Sequence, residues 1–266
     1  ISSLSNPPAT GSPGDSFSVN DTTANQGTGT AGASTTRFYL SPVAIITNTD
    51  TPIGSRSVPS LAAGVSSSGI TPVTIPKTIP LGTYYLGACA DADGAVDESD
   101  EANNCRASTT TIRVLPTVTI TATDPNAAEP RDPGTFTVSR TGPTTAALTV
   151  FYTVGGTATP GSDYTALSES VTIPAGSATA TIPVTPIDDT SVEGNETVTV
   201  TLSPNPAYTI GSPSSATVTI ADNDLPSLSI TDVTANEGNA GTTPFTFTVS
   251  LSAASSQVVT VQYATA

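Results

Sequence analysis

Histidine, methionine and tryptophan are absent from the 266 residues, and only two cysteines are present. Without histidine there is no Ser-His-Asp or Cys-His catalytic arrangement, no imidazole-ligated zinc or haem, and no imidazole acid-base group working near neutrality. The sequence is therefore not expected to encode an enzyme. Bases are scarce as well: Lys77 and six scattered arginines face 22 acids, a net charge of −15. Seven bases cannot neutralise a run of phosphates, which argues against nucleic acid and anionic membrane as partners and leaves small cations as the natural counter-charge. No stretch approaches the roughly 20 apolar residues that span a bilayer, so direct membrane insertion is not expected. Helical periodicity is missing too, because Pro (23) and Gly (21) recur every few residues and would break it. The chain opens on Ile1 with no apolar run after a basic start, and reads as a piece of a longer precursor.

What is present is alternation. Only 11% of residues are charged and 36% are hydrophobic, and the apolar ones sit at every second position between Thr and Ser. Val118/Ile120, Phe136/Val138, Leu148/Val150/Tyr152/Val154, Val171/Ile173, Ile182/Val184, Val198/Val200/Leu202 and Val218/Ile220 each place apolar side chains on one strand face. Seven such strands in about 110 residues make one β-sandwich. Pro116–Thr121 then recurs as Pro226–Thr231, Phe136–Ser139 as Phe247–Ser250, and Thr149–Tyr152 as Thr260–Tyr263, at offsets of 110 to 111. A different set of strand patterns precedes residue 116: Ser16–Val19, Thr36–Leu40, Val73–Ile75, Thr83–Cys89 and Cys105–Val114. The expected fold is all-β, a tandem of Ig-like antiparallel β-sandwiches at 1–115 and 116–224, with the first three strands of a further repeat at 225–266. Three strands cannot cover their own apolar face, so that remnant should fray unless other strands complete it.

Cys89 and Cys105 flank a loop between strand patterns that would pair as a hairpin, which places them within bridging distance. A disulfide there implies an oxidising compartment; two buried free thiols are the alternative. The loop 91–104 carries six carboxylates and no base. Gly94 comes too early for an EF-hand, and no helices flank the loop. Either Asn and Asp cap backbone groups in this turn or the loop binds a cation. Its Asp91 and Asp93, followed by Glu98, Glu101, Asn103 and Asn104, resemble the strand-loop-strand ending of the CARDB (cell-adhesion-related) domains of bacteria, and that resemblance spans about residues 1–114 with the opening strand clipped.

The sharper signal lies in 116–224, where acids gather at strand ends: Glu129, Asp163, Asp188 and Asp189 opening the stretch to Glu196, and Asp222 and Asp224 after the last strand. Antiparallel strands return alternate loops to the same tip, so the 188–196 loop and the 222–224 exit can share one. Carboxylates crowded with no Lys or Arg beside them repel, and hard oxygen ligands select Ca²⁺ or Mg²⁺; Ca²⁺ fits better because it accepts 6 to 8 flexible oxygens. Gly156-Thr-Ala158 with Gly161–Tyr164, Val171–Gly176, Ile187-Asp-Asp through Glu193-Gly-Asn-Glu196, and Ala221–Asp224 together resemble a Calx-β domain. The resemblance implies calcium ligands at Glu129, Asp163, Asp188, Asp189, Glu193, Glu196, Asp222 and Asp224, with the Ser191 backbone carbonyl. Asn223 and the Gly194-Asn195 pair stand where stronger calcium sensors carry acids, which implies weak binding of about 10⁻⁴ to 10⁻³ M, suited to a structural ion. Glu237 repeats Glu129 in the remnant, whose other ligands are not found by Ala266.

These features lead to three functional expectations. The first is a Ca²⁺-stabilised, non-enzymatic stalk module of a large secreted or surface-attached bacterial protein, contacting neighbouring domains of the same chain or a surface polysaccharide or protein. The second is a filament subunit whose unfinished sandwich is completed by strands of neighbouring chains. The third is an accessory module of an exoenzyme.

Overall fold

The computed structural model describes residues 1–98, 100–236, 238–255 and 258–264. Thr, Val and Ile alternate through most of the chain, and β-branched residues fit a pleated, half-buried surface. The first unit is built from β1 (Ser3–Leu4), β2 (Thr10–Gly11), β3 (Ser16–Ala24), β4 (Ser34–Ser41), β5 (Thr51–Val58), β6 (Ser66–Thr74), β7 (Gly82–Cys89) and β8 (Cys105–Val114). They form two sheets, in the orders β1-β3-β6 and β2-β8-β7-β4-β5. Val19, Phe38, Leu40, Val73, Ile75, Leu86, Ile112 and Val114 fill the space between the sheets. Strand β5 escapes the alternation rule because Pro52, Gly54 and Arg56 interrupt it. Its edge position tolerates Pro52, which pairs with Tyr39 at a register shift.

One polar feature of this core leaves no periodic trace. Asp21 takes an inward position on β3 and is fully enclosed, paired in two-pronged fashion with Arg56: Nε to Oδ1 at 2.7 Å and Nη2 to Oδ2 at 2.6 Å. The guanidinium also donates to the Ser67 carbonyl at 2.8 Å. Gly69, opposite Asp21 on β6, clears its path, since a Cβ there would stand 2.7 Å from Arg56 Cδ.

The second unit comprises β9 (Thr117–Asp124), β10 (Asn126–Ala128), β11 (Gly134–Arg140), β12 (Leu148–Gly156), β13 (Ser170–Ile173), β14 (Thr179–Val184), β15 (Glu196–Leu202), β16 (Thr209–Ile210) and β17 (Ser215–Ala221). The sheets run β10-β17-β15-β12-β13 and β14-β11-β9-β16. All seven strands expected from alternation are present, and the alternate residues named above line the core: Val118, Ile120, Phe136, Val138, Val150, Val184, Val198, Val200 and Val218 are fully buried. Two further strands, β10 and β16, are too short for alternation to reveal. Both pair in parallel, β10 with β17 and β16 with β9, as β2 does with β8. The sandwiches are antiparallel as expected, with three short parallel pairs added at their edges.

In the third segment, β18 (Leu228–Ile230) pairs antiparallel with β19 (Val249–Leu251). The expected third strand at Thr260–Tyr263 does not form, and Tyr263 is 91% exposed. Its counterpart Tyr152 is buried in a core to which strands without an equivalent among the described residues of this segment contribute, so apolar alternation alone yields no strand.

Candidate metal centre

The acids of the second unit collect at one tip through identifiable backbone devices. Parallel pairing of β10 with β17 places Ala128 opposite Ala221, and the Glu129 N–H continues the ladder by donating to the Ala221 carbonyl at 3.1 Å. Glu129 thus reaches the exit of β17. Its carboxylate, with those of Asp222 and Asp224, forms a group whose ligand oxygens all lie within 4.8 Å of one another. A second group of the same dimension joins Asp163, Glu193 and Glu196. Asp163 arrives there because β12 ends at Gly156, whose backbone passes so close to Thr197 that a Cβ would overlap its carbonyl, and the chain turns back through 159–164. Glu196 is the first residue of β15, paired opposite Ile220, two residues before Asp222.

Hydrogen bonds knit the tip together. Asp222 Oδ2 accepts from the N–H groups of Glu193 (2.9 Å) and Gly194 (2.8 Å), and its Oδ1 from Asp224 N–H (2.8 Å). These donors, Gly194 first, hold the Asp222 carboxyl below its ordinary range. Asp163 is buried and accepts from the Thr159 N–H, which lowers its pKa despite burial. Burial, followed by a shared hydrogen bond with Asp163 and repulsion from that carboxylate, pushes Glu196 up to about 7. Burial and neighbouring carboxylates likewise raise Glu129, Glu193 and Asp224. Asp224 Oδ2 is enclosed without a hydrogen-bond partner. Arg131 stands two residues beyond Glu129, so the tip is not devoid of bases in sequence. It is exposed, however, and the described ion pairs, Arg37–Asp93 and Arg56–Asp21, leave these acids unneutralised.

Six of the nine residues expected as ligands thus fall into the two groups, and three do not. Asp188 accepts a bond from Asn223 Nδ2 at 3.1 Å, while Asp189 Oδ1 caps the Ser191 N–H at 2.6 Å. Both aspartates stand beside the groups, and Asp189 raises Glu129 electrostatically. Ser191 is held by its N–H in this turn. Asn223, seen in the sequence only as a missing charge, is the side chain that ties Asp188 to the exit. Glu237, the repeat counterpart of Glu129, lies outside the described residues.

The acidic loop of the first unit behaves differently. Asp91 caps the N–H groups of Ala95 and Val96 at 2.9 Å each, Asp100 caps Ala102, and Asp93 pairs with Arg37 at 2.7 Å. Of the two readings of this loop, the structure supports capping. Cys89 and Cys105 are opposite each other on β7 and β8 and form a disulfide.

Fold and site together define tandem β-sandwich modules, the second tipped with carboxylates. Residues 1–108 match the CARDB family model and residues 112–224 that of the Calx-beta domain, so these two stretches are a CARDB domain followed by a Calx-beta domain. Both are families of non-catalytic modules, and Calx-beta domains are known to bind calcium. Among solved structures, the chain is similar to the apo form of the Calx CBD1 domain, with 23% identity over 41% of this chain and 99% of that one (TM-score 0.36). It is also similar to the calcium binding domain CBD12 of CALX1.1, at 13% identity over 81% and 99% (TM-score 0.30), and to red sea bream transglutaminase, at 16% over 84% and 31% (TM-score 0.27). No curated protein matches. Among the described residues no helix is long and apolar enough to cross a membrane.

Proposed function

We propose that this chain is a calcium-stabilised spacer of an extracellular or surface-attached protein, with the ion held at the tip of the second sandwich from which the third segment leaves. The observation that carries the reading is the pair of three-carboxylate groups, which crowd six acids at one tip with no basic partner and raise four of their pKa values. A divalent cation removes that repulsion. Glu129, Asp222 and Asp224 would hold one ion and Asp163, Glu193 and Glu196 another; oxygen-only ligands of this flexibility suit Ca²⁺ better than Mg²⁺. The disulfide supports an oxidising, extracellular setting. Bound calcium would stabilise the folded tip by RT ln(1 + [Ca²⁺]/Kd), about 2.7 kcal/mol at a hundredfold excess over Kd. Calorimetric titration of the chain with Ca²⁺ and Mg²⁺, paired with melting in chelator, tests this. Saturable Ca²⁺ heat and a calcium-dependent rise in Tm are expected, and a melt indifferent to the ion refutes the reading.

A second reading, assembly through strands of neighbouring chains, rests on the third segment. Leu228, Ile230, Phe247 and Val249 are 46–61% exposed, whereas their repeat counterparts Val118, Ile120, Phe136 and Val138 are fully buried. Sedimentation of the 266-residue chain over a range of concentrations distinguishes the two: association that Phe247→Ser abolishes supports assembly, and a monomer at all concentrations excludes it.

A further inference from the structure

The junction between the two sandwiches lies at the end of the second one opposite the acidic tip, and the side chains that meet across it are hydroxyls. Strand β8 ends at Val114 and β9 begins at Thr117, so only Leu115 and Pro116 separate them, and both are buried. Each linker residue is tied to one side. The Leu115 N–H donates to the Gly11 carbonyl of β2 at 2.9 Å, and the Pro116 carbonyl accepts from the Thr209 N–H of β16 at 2.9 Å.

The two short parallel strands thus flank the linker like jaws, and their tips touch. Thr117 Oγ1 donates to Ser12 Oγ at 2.8 Å, Ser12 Oγ lies 2.9 Å from Thr209 Oγ1, and Thr209 Oγ1 lies 3.0 Å from Thr117 Oγ1. This closed ring of three hydroxyls joins residues from both units, and Ser12 within it is buried. Asp15, the carboxylate nearest in sequence to the ring, is turned back to cap the Ser12 N–H at 2.8 Å. On the far side of the joint, Gly142 packs against Pro13 and Leu81 so closely that a Cβ would stand 3.2 Å from Pro13 Cγ.

We propose that this junction is a preassembled clamp that fixes the orientation of the two sandwiches without any metal ion. Short linkers between domains ordinarily permit relative motion unless the interface resists it. Here the two backbone bonds anchor each linker residue to its own sandwich, so bending the joint requires opening the hydroxyl ring that crosses it, and none of these groups is a charge that calcium could neutralise. The ion-dependent behaviour proposed above is thereby confined to the acidic tip. The clamp itself does not depend on that reading; only the contrast between the two ends does.

The test is a distance measurement by pulsed electron spin resonance on the full chain. Nitroxide labels are carried on genetically encoded ketone side chains at the exposed positions Ala63 and Thr201, which leaves the disulfide intact. A narrow distance distribution in chelator, unchanged by Ca²⁺, is expected. Thr117→Val combined with Thr209→Val should broaden it roughly twofold, toward the freedom of an unclamped linker, while Thr117→Ser combined with Thr209→Ser should keep it narrow. Melting of both variants checks that the second sandwich remains folded; if the valine pair unfolds it, Ser12→Ala takes its place. A broad distribution in chelator overturns the clamp, as does a width indifferent to loss of the hydroxyls in a folded variant. Because the decisive measurement is made without calcium, failure of calorimetric Ca²⁺ binding would sink the proposed function and leave this result standing.

Discussion

Protonation of Glu196 should set how tightly the tip binds calcium. Its folded pKa is raised from 4.5 to about 7, by burial first and then by the hydrogen bond and charge of Asp163. An ion entering the Asp163–Glu193–Glu196 group must displace that proton. Apparent affinity is then reduced by a factor of 1 + 10^(pKa − pH), which is about 11 at pH 6, about 2 at pH 7 and about 1.1 at pH 8, so affinity should rise about tenfold from pH 6 to 8. The sign for stability follows from the same linkage. A carboxyl with a raised folded pKa contributes stability that is fully present below its unfolded value of about 4.5 and is lost as pH climbs through about 7. The calcium-free protein should therefore melt lower at pH 8 than at pH 5.5 on this account, and added calcium should restore more at pH 8. Glu196→Gln keeps a hydrogen-bonding group against Asp163 and removes the titration. It should flatten the pH dependence of binding, weaken calcium at pH 8, and raise the Tm of the calcium-free protein there. Calorimetry at pH 6, 7 and 8 in two buffers of different ionisation heat reads affinity and proton release together. An affinity constant across that range, with no proton released, refutes the reasoning.

Other expectations follow from single contacts. Asp222→Ala leaves the N–H groups of Glu193, Gly194 and Asp224 without their acceptor; charge-assisted bonds of this kind are worth about 1.5–3 kcal/mol, so urea unfolding should show a loss of that order together with loss of Ca²⁺ binding. Asp21→Ala strands the Arg56 guanidinium in the first core and should cost about 3–5 kcal/mol by the same measurement, while the far tip keeps its calcium affinity. Reducing the Cys89–Cys105 bridge, which closes a loop with a sequence separation of 16, should destabilise the first sandwich by about 3 kcal/mol, seen as a lower Tm in reductant.

Much of this molecule was legible before its structure. Two-residue alternation located every long strand of the second sandwich, because one face of each must enter the core while Thr and Ser meet solvent. The carboxylates were also visible as residues, and the shared tip of the 188–196 loop and the 222–224 exit follows from strand counting. What strand counting could not resolve was which acids meet. Glu129 reaches Asp222 through a three-residue parallel strand that no periodicity announces, and Asp188 is diverted to Asn223 by a side-chain amide whose aim depends on the finished turn. The buried Asp21–Arg56 pair was hidden for a related reason. Asp21 and Arg56 are 35 residues apart on different sheets, and nothing in either neighbourhood marks them as inward-facing charges.

The same blindness hides the joint at the other end of the second sandwich. Ser12, Thr117 and Thr209 are ordinary members of a chain crowded with hydroxyls, and their ring closes across separations of 105 and 92 residues. In a chain of net charge −15, a joint faced with carboxylates would splay unless an ion filled it, whereas one faced with hydroxyls closes unaided. Concentrating the acids at the opposite tip therefore does two things at once. It leaves the joint between the sandwiches indifferent to salt and to divalent ions, and it makes the far end the place where ionic conditions are felt. Chelator and high salt should accordingly act on the tip while the angle between the two sandwiches holds, and a junction that loosened in step with calcium removal would show that charge reaches across the whole length of the second sandwich.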